Sequence, residues 1–253
     1  PLAAQINEQV NKQLKDYEQK ILAYQEENNT LEVARYQIKA GQICWDERLY
    51  EKAVDYFSKA ITINQDLGNT NAVKVLNTNI GLIYLEMDKP SESISYLKKA
   101  IQIDRNTKKK DDLKSDLINL ANAYQNLGKF EESNKHLEEA LQVSQELSDI
   151  SGLKSCYTML AENYQKLGNT EKSYQYYEQA ASLQKHLAKQ EVKQLQDQRQ
   201  QAEAVIIQKS NQLKKTVDTL NQVIEITHER ELQIQLLNKD KELKDMALKE
   251  SQA

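Results

Sequence analysis

The chain has 253 residues, a net charge of −4 and a hydrophobic share of 39%. That acidic balance argues against a nucleic-acid binder, which carries a basic face to meet phosphates. Six Gly and two Pro, none after Gly168, leave few turn formers and point to an all-helical protein.

In residues 1–26, Ile6, Val10, Leu14, Tyr17, Ile21 and Tyr24 recur at steps of three and four, which predicts one amphipathic helix. Tyr17 and Ile21 stand 40 residues before Phe57 and Ile61. The segment therefore reads as half of a degenerate repeat that caps the first full copy. Lys20 occupies a place held by Ala in later copies, as suits a terminal unit with one side in water.

Residues 27–187 repeat four times with a period of 40. Gly41, Gly81, Ala121 and Ala161 keep that step, as do Cys44, Tyr84, Tyr124 and Tyr164. Ala53, Ser93, Ser133 and Ser173 keep it too, then Phe57, Leu97, Leu137 and Tyr177, then Ala60, Ala100, Ala140 and Ala180. In the second copy Leu76, Ile80, Ile83 and Tyr84 share one helical face, and Ile94, Leu97, Ala100 and Ile101 share another. Pro90 opens the second helix, where its missing N–H costs nothing, and Gly128 and Gly168 mark helix ends. Each copy is thus a helix–turn–helix unit. The small residues let neighbouring helices approach to about 8–10 Å. The run Lys108-Lys109-Lys110 before Asp111 reads as a solvated loop between helices. Cys44 and Cys156 lie in the first helices of the first and fourth copies, too far apart for a bridge, and Cys44 replaces a Tyr as packing.

Residues 188–253 differ in kind, being rich in Gln, Lys and Glu. Ile206, Leu213 and Leu220 repeat at seven, with Val217 and Ile224 as a companion row, which predicts a coiled-coil seam. A second seam, Leu232, Leu236, Leu243 and Met246, is out of phase, with the slip falling between Ile226 and Glu231. So polar a helix has little to bury alone, and the expectation is a parallel homodimer through the tail rather than a hairpin folded back on the repeats.

Catalysis is not expected. His136, His186 and His228 have no metal-ligand spacing, and no two glycines stand close enough for a phosphate loop. The carboxylates sit at helical spacing from Lys, where they pair rather than converge. No stretch nears the roughly 18 apolar residues that span a bilayer, so no membrane insertion is expected. The chain opens on Pro1 without a signal-peptide pattern and is expected to be a piece of a longer protein.

The repeated positions resemble the tetratricopeptide repeat family: Gly or Ala then Tyr in the first helix, a small residue early in the second, a large apolar residue four later, and Ala three after that. Cys44 in place of Tyr, Ser at three of the early small positions and the absence of a closing Pro depart from it. The family repeat is about 34 residues, and the extra six here, around Asp66 to Asn69, are expected to lengthen the adjoining helices. The resemblance implies an all-α, right-handed α-solenoid followed by a long coiled-coil helix, with no cofactor, no metal and no catalytic residue. It also implies a protein or peptide ligand on the concave face made by the first helices. Counting helical turns from the packed Gly or Ala, that face should carry Ile38, Gln42 and Trp45, then Thr78, Asn79, Leu82 and Glu86. Ile118, Asn119, Asn122 and Gln125 come next, then Thr158, Glu162, Gln165 and Lys166. Trp45, Leu82 and Leu85 would hold apolar groups while the amides bond an extended backbone; the competing reading is helix packing beside ordinary polar surface. Ile38 and Ser115 stand where relatives that clamp a C-terminal carboxylate need cations, so that activity is not expected.

A repeat array running into a charged helix also resembles the sensory region of bacterial signalling histidine kinases. This implies a regulatory input for an output domain outside the chain, and favours the extracytoplasmic (periplasmic) side over the cytoplasmic. The alternative is a free-standing scaffold or adaptor that dimerises through its tail. His228-Glu229-Arg230 is similar to a phospho-acceptor box in those three residues, but Glu231-Leu232-Gln233 does not continue it.

Overall fold

The computed structural model describes the backbone of residues 2–250 and the side chains of residues 8–239 and 241. Nine α-helices succeed one another among the described residues: α1 (Leu2–Glu26), α2 (Thr30–Asp46), α3 (Tyr50–Asp66), α4 (Thr70–Glu86), α5 (Pro90–Thr107), α6 (Lys110–Asn126), α7 (Phe130–Glu146), α8 (Ile150–Lys166) and α9 (Thr170–Glu250). The chain divides into two compact units, Pro1–Leu187 and Ala188–Ala253.

The links between helices share one construction. A residue with left-handed backbone falls every 20 residues, at Asn28, Arg48, Gly68, Asp88, Lys108, Gly128, Ser148 and Gly168, with φ between 54° and 76°. The residue after it returns its N–H to the carbonyl five back, as in Asn69 to Asn64 at 2.8 Å and Leu49 to Cys44 at 2.7 Å. These are Schellman closures, which satisfy carbonyls that the helix end leaves bare. Asn29 and Asn69 then cap the next helix by accepting from the N–H groups of Glu32 and Ala72. Pro90 sits in the first turn of α5. The six extra residues are taken up in the helices: α2, α3, α4, α6, α7 and α8 each have 17 residues. The expected lysine loop is shorter than the run itself, since Lys110 already opens α6 and pairs with Glu146 at 2.9 Å.

Packing in the first unit obeys the repeated positions. Ala60, Ala100 and Ala140 are wholly buried and Ala180 nearly so. A Cβ placed on Gly41 would lie 2.5 Å from the ring of Phe57, and one on Gly81 would lie 2.7 Å from Leu97 Cγ. In the first two hairpins the first helix therefore lies almost backbone-to-side-chain against the second. The repeated Tyr stacks on an aromatic ring of its partner helix: Tyr84 on Tyr96 at 5.6 Å, Tyr124 on His136 at 5.4 Å and Tyr164 on Tyr176 at 5.6 Å. Cys44 has no ring to offer, and Tyr56 instead donates its hydroxyl to Glu18 of α1 at 2.7 Å. Leu14 and Ile21 of α1 are buried, and Leu14 joins the core of the first hairpin. The side chain of Ile6 lies outside the described residues.

In the second unit Ile206, Leu213, Leu220, Val217, Ile224, Leu232 and Leu236 are all exposed. Leu243 and Met246 lie outside the described side chains. No helix among the described residues is long and apolar enough to cross a membrane.

Candidate functional site

The first helices α2, α4, α6 and α8 alternate with the second helices, and α4 also meets α6 and α6 meets α8. They form a wall of their own within the first unit. On that wall Ile38 is half-buried against the first core cluster, and Gln42 is exposed and bonds Asp46 at 2.8 Å. Trp45 is half-buried, edge-on to Phe57 at 6.4 Å, and its Nε1 donates to Glu86 at 3.2 Å. Asn79, Leu82, Asn119 and Gln125 are half-buried; Glu86, Asn122, Glu162 and Gln165 are exposed. Gln125 donates to Glu162 at 3.4 Å, and Tyr177 to Gln165 at 3.5 Å. The wall is thus tied helix to helix by Trp45–Glu86 and Gln125–Glu162, while no hydrogen bond engages the side-chain amides of Asn79, Asn119 and Asn122 among the described residues.

Sequence reasoning missed a buried ionic cluster where α4, α5 and α6 meet. Lys74 Nζ lies 2.9 Å from Asp112 and 3.9 Å from Asp104, and Thr78 donates to both oxygens of Asp116 at 3.0 and 2.9 Å. Asp104 is fully buried and, ionised, has no hydrogen-bond donor for either oxygen among the described residues. Burial pushes its carboxyl up to about 7; Lys74 opposes the rise, and the Asp116 carboxyl beside it adds to it. Burial raises Asp116 as well, against the Thr78 hydroxyl, which holds it down. One repeat on, Lys114 reaches Asp149 at 2.5 Å and Asp111 at 3.5 Å. The bond from Lys114 holds Asp149 below the usual carboxylate range, helped by the backbone N–H of Gly152. The signal available in the sequence was the series Lys74, Lys114 and Lys154, again 40 apart.

Among the described residues nothing in this unit is arranged for nucleophilic or acid–base chemistry. Both cysteines are free and buried; burial raises Cys44, and pushes the Cys156 thiol up to about 11, away from the reactive thiolate. Burial lowers His136, which is stacked on Tyr124, and His186 and His228 are exposed. No group of three or more metal-ligating side chains converges among the described residues.

The sequence matches the tetratricopeptide repeat family over residues 32–106 and 113–186, more than half of the chain. The chain belongs to the tetratricopeptide repeat family. No curated protein matches it in sequence. Solved TPR-like structures share the fold. BtubC (BKLC) from P. vanneervenii superposes with a TM-score of 0.63 at 16% identity, covering 73% of this chain and 76% of that one. The apo form of RapI gives 0.64 at 13% identity, with 70% and 49% covered. The Rap conjugation gene regulator of plasmid pLS20, solved with the Phr* peptide, gives 0.51 at 18% identity, with 62% and 44% covered. The chain spans less than half of either Rap protein. A TPR array is a protein-binding module and typically non-catalytic.

Proposed function

We propose that the wall of first helices binds a protein or peptide segment, and that the array is the regulatory input of a signal-transduction protein of the histidine-kinase type. The observation that carries the binding reading is the set of free amides at Asn79, Asn119 and Asn122, on a wall of first helices that also carries the half-buried Trp45 and Leu82. Amides can both donate and accept, so a row of them matches an extended backbone whatever its side chains. The Rap conjugation gene regulator, which shares the fold, was solved with the Phr* peptide, which supports a peptide as the kind of ligand.

The input role rests on the tail. Its apolar rows are open to solvent, and pairing with a second copy in parallel covers them. A slip between two seams gives such a pair two registers of similar energy, which suits a switch. A free-standing scaffold that uses the tail only to dimerise is the competing role.

Two measurements test these readings. Affinity capture with the whole chain should retain partners that Trp45→Ala and Asn122→Ala lose, with the helical circular dichroism of both variants unchanged. Identical captured sets would remove the inner wall as the binding surface. Light scattering should give twice the chain mass for the whole chain and a single mass for one ending at Leu187. Equal association states would remove the paired tail.

A further inference from the structure

The fourth hairpin ends the series with surfaces that every earlier hairpin keeps covered. Phe57, Leu97 and Leu137 are fully buried, whereas Tyr177 at the same position is 40% exposed. Asn64, Asp104 and Ser144 are buried, whereas their counterpart Gln184 is exposed. In the third hairpin it is the next first helix, α8, that closes this face, with Leu160 in one cluster with Leu137.

The same end carries a lysine without a counter-charge, one turn before a threonine. Lys74 and Thr78 of α4 together hold Asp112 and Asp116 of α6, two carboxylates four residues apart on one helix face. Lys154 and Thr158 of α8 stand 80 residues on, in the same repeat positions. Thr158 is turned as Thr78 is, with its hydroxyl on the carbonyl of the lysine one turn before: 2.9 Å to Lys154 and 3.3 Å in Thr78 to Lys74. Among the described residues, however, Lys154 Nζ has neither a carboxylate nor a hydrogen-bond partner. Both side chains line a groove of 420 Å³ whose other walls are Ser151, Ser155 and the apolar Ile118, Met159 and Leu187.

We propose that this end groove docks an amphipathic helix of a partner protein that carries two acidic residues four apart in its first turns. Lys154 takes the first carboxylate, Thr158 donates to the second, and the apolar residues between them pack on Met159 and Leu187. The partner completes the stack in the way α6 completes it on α4. None of the free amides Asn79, Asn119 and Asn122 of the inner wall lines this groove, so either reading can fail without the other.

The helix α6 is itself the pattern, which supplies the probe. A fluorescein-labelled synthetic peptide of residues 109–127 is titrated with the whole chain and monitored by fluorescence anisotropy. A saturable rise is expected. Lys154→Glu should weaken it by about tenfold or more, and a peptide bearing Asp112→Lys should regain affinity for that variant alone. Thr158→Val should weaken binding to the parent peptide but leave a peptide with Asp116→Asn unaffected. Asn122→Ala on the inner wall should bind as the parent chain does. No saturable rise, or binding indifferent to Lys154→Glu, overturns the proposal. So does a loss of self-association in Lys154→Glu by sedimentation, which would make a second copy the occupant.

Discussion

Gly41→Ala isolates the contact on which each hairpin closes. The added methyl would sit 2.5 and 2.6 Å from two ring carbons of Phe57, against an ordinary carbon–carbon separation of roughly 3.5–4.0 Å. The ring must therefore retreat by about 1 Å, in a site where Phe57 is fully buried and Trp45 abuts it edge-on. Overpacking of this kind costs about 1–3 kcal/mol, whereas replacing a helical Gly by Ala returns up to about 1 kcal/mol. The net expectation is a loss of about 1 kcal/mol, or a fall in Tm of roughly 2–4 °C. Trp45 is the one tryptophan of the chain, so its fluorescence during thermal and urea unfolding reports on this hairpin apart from the helical tail. The third hairpin already combines Ala121 with Leu137, so Phe57→Leu added to Gly41→Ala should restore part of the loss. A rise in stability on Gly41→Ala alone, or no recovery in the double variant, would refute the close approach.

Asp104→Asn probes the buried ionic cluster. The folded pKa of about 7 lies above the unfolded value, so the stability linked to the bound proton is fully present below the ordinary carboxylate range and is lost as pH rises through about 7. Across that window the parent chain should lose up to about 1.4 kcal/mol per pH unit relative to the variant, and urea midpoints that move in parallel would contradict this. At the links, Gly128→Ala has no neighbouring atom to strike yet keeps a φ of +69°; it should cost about 1 kcal/mol by conformation alone. Arg48→Gly, at φ +58°, should gain up to about 1 kcal/mol by the same argument, and calorimetry of the pair checks both signs. Ala140→Leu should cost about 1–3 kcal/mol, clearly more than Lys135→Leu on an exposed position; equal effects would undo the assigned register.

The hairpins were legible because their determinants are local and recur. Gly81 facing Leu97, Pro90 at a first turn and Ala100 on a buried stripe each state one requirement, and the step of forty repeats it. The corners at Arg48, Lys108 and Ser148 were harder to read, since nothing in those side chains announces a left-handed backbone. They adopt it because both flanking helices are anchored by packing, which outweighs about 1 kcal/mol of local preference. The cluster of Lys74, Asp104, Asp112 and Asp116 was hidden for another reason. It draws on three helices, and each member alone is an ordinary charged residue of a helix surface. Cys44 was read as packing material, and the structure adds why a ring was dispensable there: Tyr56 turns to Glu18 in α1 instead.

The even spacing of the corners sets the terms on which such a chain can change length. Turning points within a hairpin and between hairpins are built alike, so cutting and rejoining at any two of them makes a chemically sound bend. Only excisions or duplications of forty residues, however, return each rod to a neighbour of its own kind. A change of twenty would bring an Ala100 stripe to the place that Gly81 must fill, and the seam would not shut. The molecule can therefore grow or shrink in whole pairs without inventing a new joint.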